Sequence, residues 1–358
     1  MKKLILSLLA MLFLSAPLFA VTLVTKNETD PEVTLTGYQW IRYTLNYTAD
    51  KLAINQLAIK RTYISTKIKG VDYEANLTLD MGNSLNGQAG YDWAIWEKLA
   101  YVDLTKLPFL SDMGIKIRTG IQPIYFGSGD YWTYPLIELP FEGKIGALSS
   151  ADMGVAILGK YTLDSYENVS PTVKKKQDLF VYELALYSGD GYGKLDTDVS
   201  KALAGNLMVY VMPGLGVRGS YFKKAGITSF GVGSADKTVT AVMVKYNVAP
   251  FDVYAEVLEQ KAPASVVGGV EKSGILQAVS VYCGYTVFDW LSAHLRYDTV
   301  NPDTRVINDD MNYFYSGLNF KVAQKVSLQI NYQLEMKKVY QAGNKNNNLL
   351  MTQVKWEW

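Results

Sequence analysis

Charged side chains recur at alternate positions along much of this chain. Lys116 and Arg118 sit among Ile115 and Ile117, Arg218 follows Val217, and Arg296 and Asp298 flank Tyr297 after Leu295. A strand with this alternation holds its polar row in water and its apolar row in an oily phase. A second charged group, Asp130, Glu138 and Glu142, lies in a glycine-rich stretch with the aromatics Tyr131, Trp132 and Tyr134. Three carboxylates opposed to Arg118, Arg218 and Arg296 across a narrow wet passage would set up a transverse field that orders water and orients dipolar solutes. A ring of one sign would instead select ions by charge. The aromatics offer a stacking track for sugars or, more plainly, packing within the loop. Lys116, Arg118, Asp130, Tyr131, Trp132, Glu138, Glu142, Arg218 and Arg296 are therefore the candidate pore-lining set.

Other chemistry is short of parts. The single histidine, His294, shares an alternation face with Ser292 and Asp298. Residues two and four apart on a strand need not converge, and a histidine in a wall hydrogen-bond network is the commoner use, so no catalytic residue is assigned. The single cysteine, Cys283, excludes an internal disulfide and a cysteine-rich metal site. No cofactor or metal is expected, and no nucleotide-binding loop is present. With 35 basic against 34 acidic residues, the chain has no long-range reason to seek nucleic acid.

The elements that must position these residues are strands. After Lys2 and Lys3 comes a mostly apolar run to about Leu14 and then Ala16-Pro17-Leu18-Phe19-Ala20, the form of a secretory signal peptide over residues 1–20. Nothing beyond it reaches the roughly 18 consecutive apolar residues of a spanning helix. Period two dominates instead, as in Val326-Ser327-Leu328-Gln329-Ile330-Asn331-Tyr332-Gln333-Leu334-Glu335-Met336. Such segments are long enough to cross a bilayer at a steep tilt. Strands are expected near 33–44, 55–69, 71–82, 93–105, 113–123, 151–163, 177–188, 202–212, 215–224, 237–247, 250–259, 275–286, 289–299, 311–322, 325–337 and 347–358. That is about sixteen, an even number as in bacterial single-chain barrels.

Connections alternate in length. Lys69-Gly70-Val71, Met212-Pro213-Gly214 and Val287-Phe288-Asp289 are tight, whereas 82–92, 189–201, 260–274 and 338–345 are longer and polar. Residues 164–176, with Lys174, Lys175 and Lys176, break the rule as a long turn on the short-turn side. The longest connection, residues 125–150, is the third on the long side and is expected to fold inward and narrow the lumen. The last strand alternates Leu350, Thr352, Val354 and Trp356 with polar residues and ends on Trp358, a lipid-facing row with rings at the interface.

Several segments carry a resemblance. Ala58-Ile59-Lys60-Arg61-Thr62-Tyr63-Ile64 followed by Tyr73-Glu74-Ala75-Asn76-Leu77-Thr78-Leu79-Asp80 resembles the early hairpin of the phosphate-selective porin O and P family. Leu99–Asp103 and Ile117–Gly127 resemble its next two strands and the opening of its third loop, and Tyr187-Ser188-Gly189-Asp190-Gly191 is similar to its Asn-Gly-Asp-Gly loop. Together these span roughly residues 55–225, with Pro123 and Ser188 departing from the family pattern. The resemblance implies a trimeric, sixteen-stranded outer-membrane channel and lysines and arginines that select anions such as phosphate. Residues 21–358 are thus expected to form an all-β transmembrane antiparallel barrel in the bacterial outer membrane. It would be bounded by lipid, homotrimeric, and open to small hydrophilic solutes or ions. The near-balance of charge predicts weak ion selectivity. Two other classes stay open: an outer-membrane barrel hydrolase and an exported soluble β-protein that binds glycans.

Overall fold

The computed structural model describes residues 21–23, 31–48, 51–83, 93–129, 131–167, 170–192, 200–225, 236–267, 270–304, 310–337 and 346–358. The candidate signal peptide, residues 1–20, lies outside them.

Sixteen long antiparallel strands close on themselves. They are β2 (Glu32–Thr48), β3 (Lys51–Lys69), β4 (Tyr73–Asn83), β5 (Trp93–Leu104), β6 (Ile115–Pro123), β7 (Ala151–Glu167), β8 (Ser170–Tyr187) and β9 (Ala202–Met212). The second half comprises β10 (Leu215–Lys224), β11 (Lys237–Val248), β12 (Phe251–Val267), β13 (Val270–Phe288), β14 (Leu291–Asn301), β15 (Met311–Ala323), β16 (Val326–Lys337) and β17 (Asn347–Glu357). Each pairs with its sequence neighbours, and β17 closes the barrel on β2 from Asn347↔Thr48 to Glu357↔Tyr38. A short β1 (Val21–Leu23) pairs with Val33–Leu35 of β2, just past the end of β17. Closure satisfies the ladder all round, which is what permits a sheet to sit in lipid.

Period two explains the register. On β11 the inward Ala241 and Met243 are buried, while the outward Val242 is 57% exposed. The same apolar outward row runs through Val257, Val279, Val281, Leu295 and Tyr297. Near the short-turn rim it ends in rings, with Phe288 stacked on Trp290 (5.4 Å) and Trp290 on Phe320 (6.3 Å), as interfacial side chains do. Among the described residues no helix is long and apolar enough to cross a membrane.

Two stretches differ from the sequence expectation. Residues 164–176 form no long turn: β7 and β8 run on as one hairpin to Glu167↔Ser170, although β6 leaves β7 at Gly159 and β9 leaves β8 at Phe180. Likewise β12 and β13 continue through most of 260–274. A ladder held only by its own backbone bonds needs no apolar face, so these extensions carry no alternation to read.

Residues 124–150 turn into the barrel, with α1 (Phe141–Lys144) as their one helical turn. Their apolar side chains Ile124, Phe126, Trp132, Leu136, Phe141 and Ala147 share a core with inward residues of β7–β15, including Met208, Met243, Leu258 and Tyr315. Gly317 of β15 makes room for this loop, since a Cβ there would lie 2.7 Å from Leu136 Cδ2. The third-loop expectation thus corresponds to a segment that fills one side of the lumen.

Candidate functional site: the lumen around the third loop

The root of the loop is pinned by polar groups. Gly127 N–H donates to Ser220 Oγ (3.1 Å) and its carbonyl accepts from Arg218 Nη1 (3.1 Å). Ser128 N–H is shared between Glu142 Oε1 (2.6 Å) and Glu256 Oε2 (3.0 Å), and Gly129 N–H also reaches Glu142 (3.1 Å). Gly127 has φ +50°, and a Cβ on it would collide with both carboxyls, so only glycine lets them converge. Two buried carboxyls this close cannot both ionise cheaply. Burial pushes the Glu142 carboxyl up from the usual range. The charges around the pair are committed elsewhere: Arg218 to Gly127 and Tyr131, and Arg296 to Asp298.

The candidate residues divide sharply. Arg296 makes a bidentate pair with Asp298 (Nε to Oδ1 2.9 Å, Nη2 to Oδ2 2.6 Å), and its Nη1 donates to the Leu139 carbonyl (2.7 Å). Arg218 lies 4.5 Å over the Tyr131 ring, which Lys245 also faces at 3.8 Å. Trp132 donates to the Glu138 carbonyl (2.9 Å) and packs edge-on against Tyr282 (5.5 Å). Arg218, Arg296, Tyr131, Trp132 and Glu142 therefore meet between loop and wall, where they hold the loop. Lys116 and Arg118 are brought together elsewhere, both on Asp103 (2.6 and 2.5 Å), with Arg118 Nη1 on Tyr125 OH at the loop's start (2.9 Å). Asp130 lies outside the described residues. Glu138 faces the remaining lumen and pairs with Lys144 (2.8 Å).

On the other side of the loop is a sector that the candidate set does not include. Tyr134 of the loop meets Trp40 of β2 edge-on at 4.8 Å, and Tyr134 and Ile137 are held by Gln329 and Asn331 of β16 (both 2.8 Å). Beyond them a cavity of about 210 Å³ is lined by Trp40, Arg42, Lys60, Arg61, Leu136, Ile137, Glu138, Leu139 and Gln353. Arg61 contacts Tyr63 OH and lies 3.8 Å from Asp80, and Lys98 donates to Tyr63 OH (2.8 Å). Two of these cations arise from bulges. Trp40 pairs with Arg61 but Ile41 with Ile59, leaving Lys60 extra; Thr78 pairs with Leu99 but Leu79 with Glu97, leaving Lys98 extra. A bulge re-aims a side chain and breaks period two, so alternation cannot reveal either lysine. Arg42 was readable, two residues beyond the inward Trp40 on an unbroken stretch of β2.

His294 joins a hydrogen-bonded network. Its Nε2 is 2.7 Å from Ser292 Oγ and its Nδ1 2.9 Å from Tyr282 OH, while Asp298 is held by Arg296 and Ser280. Among the described residues no group of three His, Cys, Asp or Glu is placed to hold a metal ion.

No protein-family model matches the chain, and no curated protein matches it. Solved structures do. The outer membrane channel DcaP of Acinetobacter baumannii superposes with a TM-score of 0.63 at 13% identity over 93% of this chain and 99% of that one. OmpF of Salmonella typhi, in complex with daunomycin, gives 0.62 at 12% over 95% and 100%. In-vitro folded OmpT, an outer membrane protein of Vibrio cholerae in a trimer form, gives 0.57 at 14% over 91% and 99%. At such identities the likeness is one of fold, broader than the O and P resemblance. With its closed wall and inserted loop, the chain has the sixteen-stranded β-barrel fold of these outer-membrane proteins.

Proposed function

We propose that the chain is exported behind residues 1–20, inserts in the bacterial outer membrane and forms a water-filled channel for passive diffusion of small ions and hydrophilic solutes. The observation that carries this reading is a wall whose described outward rows are mainly apolar and whose inside is charged along β2–β6, beside lumen space that the third loop does not fill. Sixteen strands enclose more space than wall side chains fill. A homotrimer is proposed from the fold likeness, since the V. cholerae protein occurs in a trimer form.

The constriction in this reading lies between Glu138 and Tyr134 on the loop and Arg42, Lys60, Arg61 and Lys98 on the wall. The candidate arginines 118, 218 and 296 serve it indirectly, by fixing the wall and the loop's position. Four cations against Glu138 and Asp80 favour anions, phosphate among them, and the two acids keep the preference modest. The hydrolase reading has less support: Tyr282, not a carboxylate, orients His294. The soluble glycan-binding reading conflicts with the apolar outward face.

Planar-bilayer recording of detergent-purified protein tests the proposal. Stepwise conductance with a reversal potential displaced modestly toward anions is expected in a salt gradient. A protein that opens no pores, or that purifies in water without detergent, would overturn the channel, and cation selectivity would overturn the assigned constriction.

A further inference from the structure

The basic sector carries two features that a site for inorganic ions alone does not need. First, two of its cations have no acid within ion-pairing distance. Arg42 Nε donates to the amide oxygen of Gln353 (2.9 Å) and Lys60 reaches the amide oxygen of Gln56 (3.4 Å). Among the described residues neither pairs with a carboxylate, whereas Lys116, Arg118, Lys144 and Arg296 all do. Glu138, the acid lining the same cavity, is taken by Lys144 and by the Leu139 N–H (2.8 Å for each). Cations left with amide partners retain strong capacity for an external anion, because an ionised acceptor gives roughly twice the strength of a neutral one.

Second, the cavity beside these cations is apolar on its loop side. Leu139, 39% exposed, presents aliphatic surface and Tyr134 a partly buried ring that meets Trp40 at 64°, with the buried Leu136, Ile137 and Trp40 packed behind them. Trp40 is only 4% exposed, so its ring is fixed by packing. A fully hydrated inorganic anion gains nothing from such a surface. A solute with an apolar body gains by removing that surface from water, about 25 cal/mol per Å².

We infer that this cavity is a binding subsite for small organic carboxylates with an aromatic or branched aliphatic body, the carboxylate on Arg42 and Lys60 and the body against Tyr134 and Leu139. The inference rests on the channel reading for its biological sense and names the solute class of that constriction. At about 210 Å³ the cavity falls below the usual 300–1,000 Å³ of sites for drug-sized ligands, which favours a single-ring acid over a larger one. The planar fork of Arg42 suits a carboxylate, and Lys60, placed by its bulge, adds a mobile second charge.

Two measurements test this. In planar bilayers, sodium benzoate is expected to lower single-channel chloride current saturably, at concentrations where sodium acetate and sodium phosphate leave it unchanged. Calorimetric titration of the detergent-solubilised protein with benzoate reports binding whether or not the channel conducts. The double variant R42Q/K60Q should weaken benzoate about tenfold or more. L139S should narrow the gap between benzoate and acetate while leaving acetate unaffected. Equal behaviour of benzoate and acetate in a conducting channel would overturn the subsite and leave the channel reading standing. So would benzoate binding that R42Q/K60Q does not change. Absence of pores with benzoate still bound would overturn the channel and spare the subsite.

Discussion

The two sides of the third loop are built on opposite principles. Toward β7–β15 the loop's apolar side chains complete a core, and polar groups there are tied down: Arg296 is neutralised by Asp298 with both side chains fully buried, and Glu142 and Glu256 share one backbone N–H. Toward β2–β5 the contacts thin to Trp40 with Tyr134, and the cations have amides, a tyrosine or a distant acid as partners. Much of the first side is thus built as a protein interior, although a cavity of about 510 Å³ remains beside Tyr131 and Arg218, and the second leaves its cations along a cavity. Most charge on the first side is spent on structure, and in the proposed channel charge on the second would meet solutes. A tally of charged residues cannot tell these uses apart.

The contrast breaks most visibly at Arg296. Arg296→Leu would leave the Asp298 carboxyl buried without its partner and would free the Leu139 carbonyl. Removing one member of a buried pair typically costs about 3–5 kcal/mol. Thermal unfolding in detergent, followed by circular dichroism, should show a clear loss of stability, and surviving channels should show a broadened spread of conductance levels. A variant with unaltered melting and one sharp conductance would show that the packed side does not position the loop.

How much of this could be read beforehand follows from the same contrast. Strands β9–β11 and β14–β17 stand within a residue or two of where alternation puts them, because lipid outside and a polar or packed interior enforce period two there. Alternation also turned Arg218 and Arg296 inward. It could not say that they meet the underside of a loop and not water, since that depends on where residues 124–150 settle. Two of the open-side cations were hidden for a different reason. Lys60 and Lys98 are the extra residues of bulges, and the sequence around them reads as a flaw in the pattern.

A smaller effect sharpens the comparison through pH. Burial raises the Glu142 carboxyl, so the folded protein keeps a proton there that the unfolded chain releases in the ordinary carboxylate range. The folded state therefore binds more protons. Its advantage from this site is complete below that range and is lost as pH rises through Glu142's raised value. Above that point an uncompensated buried charge stands beside the Glu256 carboxyl and weakens the loop's seat. Melting temperature measured as pH rises above the ordinary carboxylate range should fall, and Glu142→Gln, which keeps the shape but cannot ionise, should flatten that fall. An unchanged slope in Glu142→Gln would mean that the pair is not the source.

The smallest effect on stability belongs to Arg42, and there the comparison is at its most exposed. The side chain has a single neutral acceptor in Gln353 and supports no core residue. Substitution away from packed or ion-paired positions usually changes stability by no more than about 0.5 kcal/mol. Arg42→Gln should thus melt with the unaltered protein, yet its reversal potential in a salt gradient should move toward cations, because one of the three wall cations that line the cavity with Glu138 is gone. The direction follows from the sign of the charge and needs no assumption about the solute. Should Arg42→Gln melt far lower with its selectivity intact, the residue would be holding the wall together, and the division between a structural side and a permeation side would have to be drawn elsewhere. Should both change together, the loop's position would depend on its open face as well as on its packed one.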